Sequence, residues 1–308
     1  MRVIVTGAGG FVGRQVLSAL AGHDVVAVDQ CGGGIPELPN VTRVCGDICD
    51  PALLEAAFAG GCDAVVHLAT VPGGAAEAEP HRAWRVNVDA TRVLAELAST
   101  YGHSTRFVFA SSIAVFGSSM PDTVNDGTQL SPSMLYGAHK AMIEQWLATL
   151  NRRSELHAMS LRLSGVVARP RDNSGMKSAF FSDVFHAIRA DEAFEMPVSI
   201  SGTSWLISVS RVAESIVRAL ALDSADVPES RAITLPALRV RMGDLVAEIA
   251  RQVGNSPDLV SYDPDPALEA GFAAYPPLTT PAADGLGFSH DGDLTSLVGA
   301  ALSALEEG

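Results

Sequence analysis

Ser112, Tyr136 and Lys140 are the residues of this chain whose types and order can do chemistry together. Tyr136 and Lys140 stand four apart in Tyr136-Gly137-Ala138-His139-Lys140, inside a helical pattern over residues 133–150, so their side chains share one helix face. A lysine ammonium beside a phenol favours the phenolate and lowers its pKa. A tyrosine tuned in this way can take the proton of an alcohol while the carbinol carbon gives up a hydride. Ser112 closes an apolar strand over residues 106–110 that runs into Ser111-Ser112. It lies at the strand end where open α/β sheets bind ligands, and its hydroxyl can hold the same oxygen. A tyrosine and lysine four apart are also an ordinary surface pair, so the elements around them carry the weight.

The stretch Val3-Ile4-Val5-Thr6-Gly7-Ala8-Gly9-Gly10-Phe11-Val12-Gly13 runs from a β-branched strand through a glycine-rich turn into a helix. Val12, Val16, Leu17 and Leu20 share one face of that helix. Gly7 suits a sharp turn that a Cβ resists. Gly10 lets the backbone approach a pyrophosphate, and Gly13 lets the helix pack close on the strand. The helix N-terminus then faces the phosphates with its N–H groups and positive dipole end. The next strand, Asp24-Val25-Val26-Ala27-Val28-Asp29, ends in a carboxylate. That carboxylate can accept hydrogen bonds from an adenosine ribose and would repel a 2′-phosphate. Gln30 adds no positive charge, so the expected cofactor is NAD rather than NADP.

Further strands are expected at 42–46, 63–69 and 158–163, with helices at 51–58 and 80–101. Residues 70–78, small and rich in Gly and Ala, read as a mobile loop over a site. This alternation predicts a doubly wound parallel sheet of Rossmann type over residues 1–168. Residues 169–308 are expected to form a smaller substrate-binding lobe, with some segments returning to the main sheet. Helices near 179–190, 210–222, 241–253 and 293–306 alternate there with strands near 204–208, 231–235 and 258–261.

The chain has 308 residues, 47% of them hydrophobic and 18% charged, with a net charge of −14. No stretch approaches a membrane span. The acidic balance argues against nucleic acid and membrane as partners, since no basic face is offered to phosphates. With no charged-then-apolar leader, a cytoplasmic location is expected. Cys31, Cys45, Cys49 and Cys62 have no metal-ligand spacing and read as reduced thiols, so no metal is expected.

Taken in order, Thr6-Gly7-x-x-Gly10-Phe11-Val12-Gly13, Gly46-Asp47-Ile48, His67-Leu68-Ala69, Asn87-Val88, Ser111-Ser112-x-Ala114-Val115-Phe116-Gly117 and Tyr136-x-x-x-Lys140 resemble the extended short-chain dehydrogenase/reductase superfamily. The resemblance implies Tyr136 as general acid/base, Lys140 as its partner and ligand of the nicotinamide ribose, and Ser112 as ligand of the substrate oxygen. It sets Asp47 and Ile48 on the adenine and Leu68 and Ala69 along the cofactor. Asn87 takes a structural or relay role beside them, and Leu163 and Ser164 border the nicotinamide. Ser111 is expected at the cofactor with Gly7, Gly10, Phe11, Val12, Gly13 and Asp29. The helices around 80–101 and 133–152 are that family's usual dimer faces, so a homodimer is expected.

The second half lacks the Leu-Arg-Tyr/Phe-Asn-x-x-Gly-Pro signature of nucleotide-sugar epimerases. Val71-Pro72-Gly73-Gly74-Ala75-Ala76-Glu77, Ser178-Ala179-Phe180-Phe181 and Asp263-Pro264-Asp265-Pro266 with Leu286-Gly287-Phe288 are similar to the D-erythronate dehydrogenase branch. The resemblance implies oxidation of a secondary hydroxyl of a small sugar acid or polyol with NAD. Arg169-Pro170-Arg171-Asp172-Asn173 departs from that branch. Arg169 and Arg171 can clamp a carboxylate, and Arg171 and Asn173 are the expected substrate ligands besides Ser112 and Tyr136. Ser174 and Ser178 are candidates for substrate hydroxyls. His67 reads as a satisfied core residue, His139 as helix surface, and Trp205 as either pocket wall or packing. The alternative activity is a nucleotide-sugar epimerase or dehydratase, which uses the same residues without net NADH. A non-catalytic dinucleotide sensor would have no need of the Tyr136/Lys140 pair.

Overall fold

The computed structural model of the protein describes residues 1–30, 34–101, 105–171 and 176–307. β1 (Arg2–Thr6) leads through the glycine turn into α1 (Phe11–Ala19) and β2 (Asp24–Asp29). β3 (Val41–Cys45), α2 (Pro51–Phe58) and β4 (Ala64–His67) follow. α2 starts where Asp50 accepts the Ala52 N–H and Pro51 fills the first turn.

The expected loop at 70–78 is instead largely helical. α3 (Gly73–Ala78) precedes α4 (Pro80–Trp84), a π turn (Arg85–Ala90) and α5 (Thr91–Tyr101). Glu77 on α3 accepts the N–H of Leu135 at 2.7 Å, which ties this helix to the next long one. The expected single helix over 80–101 therefore carries a one-residue expansion at Asn87, of the kind found where a side chain must be re-aimed. β5 (Arg106–Ser112), α6 (Leu135–Arg152) and β6 (His157–Leu163) close the first half.

Beyond it come β7 (Gly165–Val166), α7 (Phe180–Arg189), β8 (Phe194–Met196), β9 (Thr203–Ile207) and α8 (Val209–Ala221). β10 (Ala232–Thr234), β11 (Leu238–Arg241), α9 (Met242–Val253), β12 (Val260–Tyr262), α10 (Pro266–Phe272), α11 (Pro281–Gly285) and α12 (Leu294–Glu307) complete the chain.

The main sheet has seven parallel strands in the order β10-β6-β5-β4-β1-β2-β3. The winding reverses between β1 and β4, and such a reversal opens a crevice at the carboxyl ends of the strands. Both sheet faces are covered, so β1, β2 and β4 are continuous apolar runs. Val3 and Val5 pack with α1 and α8 on one side, while Ile4 packs with α2, α5 and α6 on the other.

Two segments of the second half belong to this body. β10 pairs with β6, Ile233 opposite Leu161, and α8 packs beside α1. The remainder forms a separate core of α7, α9 and α12 around Phe185, Ile249 and Val298. Two small sheets, β11-β9-β7 and β12-β8, complete that lobe. Among the described residues no helix is long and apolar enough to cross a membrane.

Candidate active site

α6 presents a buried stripe of Gly137, Lys140, Ile143, Glu144 and Leu147 to the sheet. Its close approach depends on Gly137, where a Cβ would lie 2.3 Å from the Ala114 carbonyl oxygen. Ala114 belongs to a tight turn after β5, held by its N–H donating to Ser112 Oγ at 3.1 Å. This contact sets Tyr136 on the same cavity wall as Ser112, whose hydroxyl acts on the phenol. Lys140 is 3% exposed. Its Nζ donates to the Ala110 carbonyl at 2.6 Å and lies 4.4 Å from the Phe109 ring centroid and 5.5 Å from that of Tyr136.

Burial pushes the Lys140 ammonium down to about 7, opposed by the Glu144 carboxylate. Burial also raises the Tyr136 phenol above its ordinary value, while the Ser112 hydroxyl and the Arg169 charge pull it back. Arg169 thus joins Lys140, whose Nζ stands beside the Tyr136 ring, as a cation near the phenol, and sequence spacing announces only Lys140. A buried lysine that ionises near neutrality is a weaker cation than an exposed one.

Behind Lys140 lies a network that sequence pattern does not disclose. Glu144 receives Arg162 Nε at 3.0 Å and Arg162 Nη2 at 2.7 Å, a two-pronged grip with both side chains almost wholly buried. The Ser111 hydroxyl also donates to Glu144, at 2.5 Å. Ser111, expected at the cofactor, therefore gives its hydroxyl to this network, although the residue does border the inner cavity. Glu144 sits one helical turn beyond Lys140, and that spacing is the signal that could have found it.

A cavity of about 880 Å³ runs along Gly7, Gly10, Phe11, Val12, Asp29, Ile48, Leu68 and Ala69. Gly7 has φ +70°, and a Cβ there would fall 2.6 Å from the Ala69 nitrogen. A Cβ on Gly13 would lie 2.2 Å from the Gly7 carbonyl, so Gly13 shapes the turn from behind the cavity wall. Gly10 caps α1 without any side chain, which leaves the helix start clear for phosphate. Asp29 accepts the Gly9 N–H at 2.7 Å and the Gln30 N–H at 2.6 Å. Gly9 escaped the sequence reading because its part is played by the backbone alone. Asp47 is exposed and accepts the Cys49 N–H at 2.9 Å, forming the turn that buries Ile48 in the wall. The tight glycine turn, the uncapped helix start and the strand-tip carboxylate fit a dinucleotide. Gly7, Gly10, Phe11 and Asp29 would hold its phosphates and ribose.

Asn87 lies behind the cavity and braces it. Its Oδ1 accepts the Val71 N–H at 2.7 Å and the Thr70 hydroxyl at 3.0 Å, and its Nδ2 donates to the Val71 carbonyl at 2.9 Å. Thr70 and Val71 form the wall that Asn87 thus holds. His139, expected on the helix surface, is 4% exposed instead. It is covered by the edge of Trp84 and reaches Asn87 Nδ2 at 3.5 Å, because α4 folds over that side of α6. His67 is buried between the Thr6 and Thr91 hydroxyls, at 2.6 and 2.7 Å. The Thr91 hydroxyl donates to the Asn87 carbonyl, so it accepts from His67 Nε2, and Thr6 donates to Nδ1. Burial holds this ring neutral, its pKa pushed down to about 3.

An inner cavity of about 260 Å³ joins the first, with Val12, Leu68, Thr70 and Arg169 lining both. Ser112, Tyr136, Lys140 and Leu163 line its floor. Ser164, Lys177, Ser182, Asp183, Ser204 and Tyr275, none of them an expected substrate ligand, complete the wall from the lobe side. Arg169 donates to Met176 Sδ at 2.7 Å and lies 6.0 Å from the Phe11 ring centroid. Arg171 does not reach either cavity. Its half-exposed side chain turns outward to Glu192 at 3.4 Å. Asn173, Ser174 and Cys31 lie outside the described residues. Trp205 packs and does not line the cavity. It is fully buried against Phe116 and Tyr275, with its indole N–H on the Pro276 carbonyl at 2.7 Å. Among the described residues, no cluster of three His, Cys, Asp or Glu is arranged to hold a metal ion.

Residues 3–233 match the model of the NAD dependent epimerase/dehydratase family. The chain is 30% identical over 313 residues to D-erythronate dehydrogenase of Cupriavidus necator, covering 97% of each protein. It is 26% identical over 307 residues to D-erythronate dehydrogenase of Haemophilus influenzae, covering 97% of this chain and 98% of that one. A nucleoside-diphosphate-sugar epimerase from Agrobacterium tumefaciens superposes with a TM-score of 0.88 at 24% identity, over 100% of this chain and 95% of that one. The fold, the glycine cradle and the Ser112, Tyr136 and Lys140 cluster thus converge with these matches: the chain belongs to the NAD dependent epimerase/dehydratase family of extended short-chain dehydrogenases/reductases and is an oxidoreductase with NAD as its cofactor.

Proposed function

We propose that this enzyme oxidises a secondary hydroxyl of a small, D-erythronate-like sugar acid to the keto acid. The observation that carries the reading is Arg169. Arg169 borders the inner cavity and its charge acts on Tyr136, so an acid held there sits within reach of the phenol. The cavity of about 260 Å³ falls below the ~300–1,000 Å³ usual for larger ligands, which favours a small acid over a nucleotide sugar. The two curated relatives support the same substrate class.

In this reading Tyr136, as phenolate, accepts the carbinol proton, and Ser112 orients the oxygen. Lys140 holds positive charge behind the phenol and would bind the nicotinamide ribose. Arg169 grips the carboxylate, and the lobe beyond residue 168 closes the pocket. NAD, when bound, supplies the hydride acceptor. The two protomers of a homodimer would meet on α4 and α6, where Trp84, Leu135, Met142 and Trp146 are exposed. A solution mass of one chain would refute that assembly.

The test is NADH absorbance with purified protein, NAD⁺ and a panel of sugar acids that includes D-erythronate, with NADP⁺ as control. Net NADH from an acid supports the reading. Interconversion of UDP-sugars without net NADH, and silence with every acid, overturns it in favour of an epimerase.

A further inference from the structure

Ser164 stands where the chain leaves β6 of the main sheet and enters β7 of the lobe. The residue is 7% exposed and borders the inner cavity. Its hydroxyl has no hydrogen-bond partner. Of the buried side-chain polar atoms left unpaired among the described residues, Ser164 Oγ alone belongs to a residue lining either large cavity. Ser160 Oγ and Thr234 Oγ1 lie within the sheet, and Arg2, His23 and Arg211 stand away from both cavities. Buried polar groups are almost always satisfied, so an orphan at a cavity wall points to a partner that arrives with a ligand.

The position decides which ligand. Val12, Leu68, Thr70 and Pro72 line both cavities and so mark the passage between cofactor and substrate spaces. Ser164 lines the inner one only, as do Tyr136, Lys140 and Leu163, so the nicotinamide end of the cofactor and the substrate both reach this cavity and the side on which Ser164 stands decides between them. The next residue, Gly165, is pressed on β9: a Cβ there would lie 2.9 Å from Leu206 Cδ2 and 3.1 Å from the Trp205 carbonyl. On the same strand, Ser204 borders the same cavity. The wall that carries Ser164 is therefore the seam with the lobe, and Ser178 and Ser182 extend it. A serine hydroxyl both donates and accepts, which suits an alcohol.

We propose that Ser164 is a substrate subsite, hydrogen-bonding a hydroxyl of the polyhydroxy acid other than the one oxidised. The inference rests on the sugar-acid reading above. It makes Ser164 a specificity determinant that separates polyhydroxy acids from their deoxy analogues.

The experiment compares wild type and Ser164→Ala with a trihydroxy acid that turns over and with its single-deoxy analogues, measuring kcat/KM, and titrates NAD⁺ separately. One neutral hydrogen bond corresponds to roughly a tenfold preference. Wild type is expected to prefer the full acid over one deoxy analogue by about that factor. Ser164→Ala is expected to lose this preference while keeping its rate on that analogue and its affinity for NAD⁺. Removing an unpaired buried hydroxyl should leave the ligand-free melting temperature unchanged or higher, so loss of folding is not expected. An undiminished preference in Ser164→Ala overturns the subsite, as does weakened NAD⁺ binding with unchanged selectivity, which would make the hydroxyl a cofactor ligand. A wild type inert with every acid overturns the sugar-acid reading and this subsite with it.

Discussion

Glu144 stands one helical turn beyond Lys140, and its carboxylate is gripped by Arg162 on one side and by Ser111 on the other. This buried anion opposes the loss of charge that burial imposes on Lys140. Removing one partner of such a pair strands the other, at a cost of about 3–5 kcal/mol, whereas replacing both with apolar residues is often neutral. Glu144→Met and Arg162→Met are each expected to lower the unfolding free energy, measured by denaturant titration, by that margin. The double variant should recover most of it. A double variant as unstable as the sum of the singles would show that the pair does not act as a unit.

Lys140 titrates near 7 in the cofactor-free protein, far below an ordinary lysine. The unfolded chain therefore binds more protons than the folded one from about 7 up to the normal lysine value, and stability rises with pH across that window. Below about 7 the folded state carries a buried ammonium, and its penalty is fully present. Replacing Lys140 by Met should thus raise the melting temperature most in mildly acidic buffer. The gain should fade toward alkaline pH, and catalysis should be lost. A gain independent of pH would exclude the titration of Lys140 as its cause.

Tyr136 is pushed above the usual phenol range by burial. The proposed oxidation uses its deprotonated form, so the rate should rise with pH on the alkaline side. Tyr136→Phe is expected to lose about 10²–10⁴-fold in turnover, the usual weight of a general base, while NAD⁺ affinity measured by fluorescence quenching stays unchanged. Retained turnover would remove Tyr136 from the chemistry.

Arg169 and Arg171 are two residues apart, and their variants should diverge. Arg169→Met is expected to raise KM for the acid by about 10- to 100-fold, the weight of a charge-assisted hydrogen bond. Arg171→Met removes only the surface contact with Glu192, worth about 0–1 kcal/mol, and should leave KM unchanged. Steady-state kinetics on the two proteins decides between them. A shift of KM in Arg171→Met alone would return the carboxylate site to the loop.

Much of the frame was readable from local pattern. The strand–glycine–helix opening, the apolar strands and the Tyr136/Lys140 spacing are properties of neighbours in sequence, and periodicity reports those. What stayed hidden depends on distant partners. Nothing near Arg171 in the chain announces that Glu192 draws it outward, nor does anything near Arg169 announce Phe11 and Tyr136. His139 looks exposed on its own helix, and it is buried because α4 folds over it. The small residues at 70–78 read as a mobile loop, yet Gly73–Ala78 form a helix tied to α6 through Glu77. The inner cavity wall draws on β7, α7, β9 and Tyr275, so its polar groups converge only in three dimensions.

The pairing of β10 with β6 bears on how the protein is made. As the chain leaves the ribosome, its first half emerges with β6 as an open sheet edge, and Ala232–Thr234 follows much later. Exposed edges of this kind recruit other strands, and nascent multi-lobed chains are vulnerable while such edges wait. A pause in translation before residue 232, or a truncation just past β6, should therefore favour aggregation over a stable half-protein. The cofactor-binding half completes its sheet only when the second half reaches back to close it.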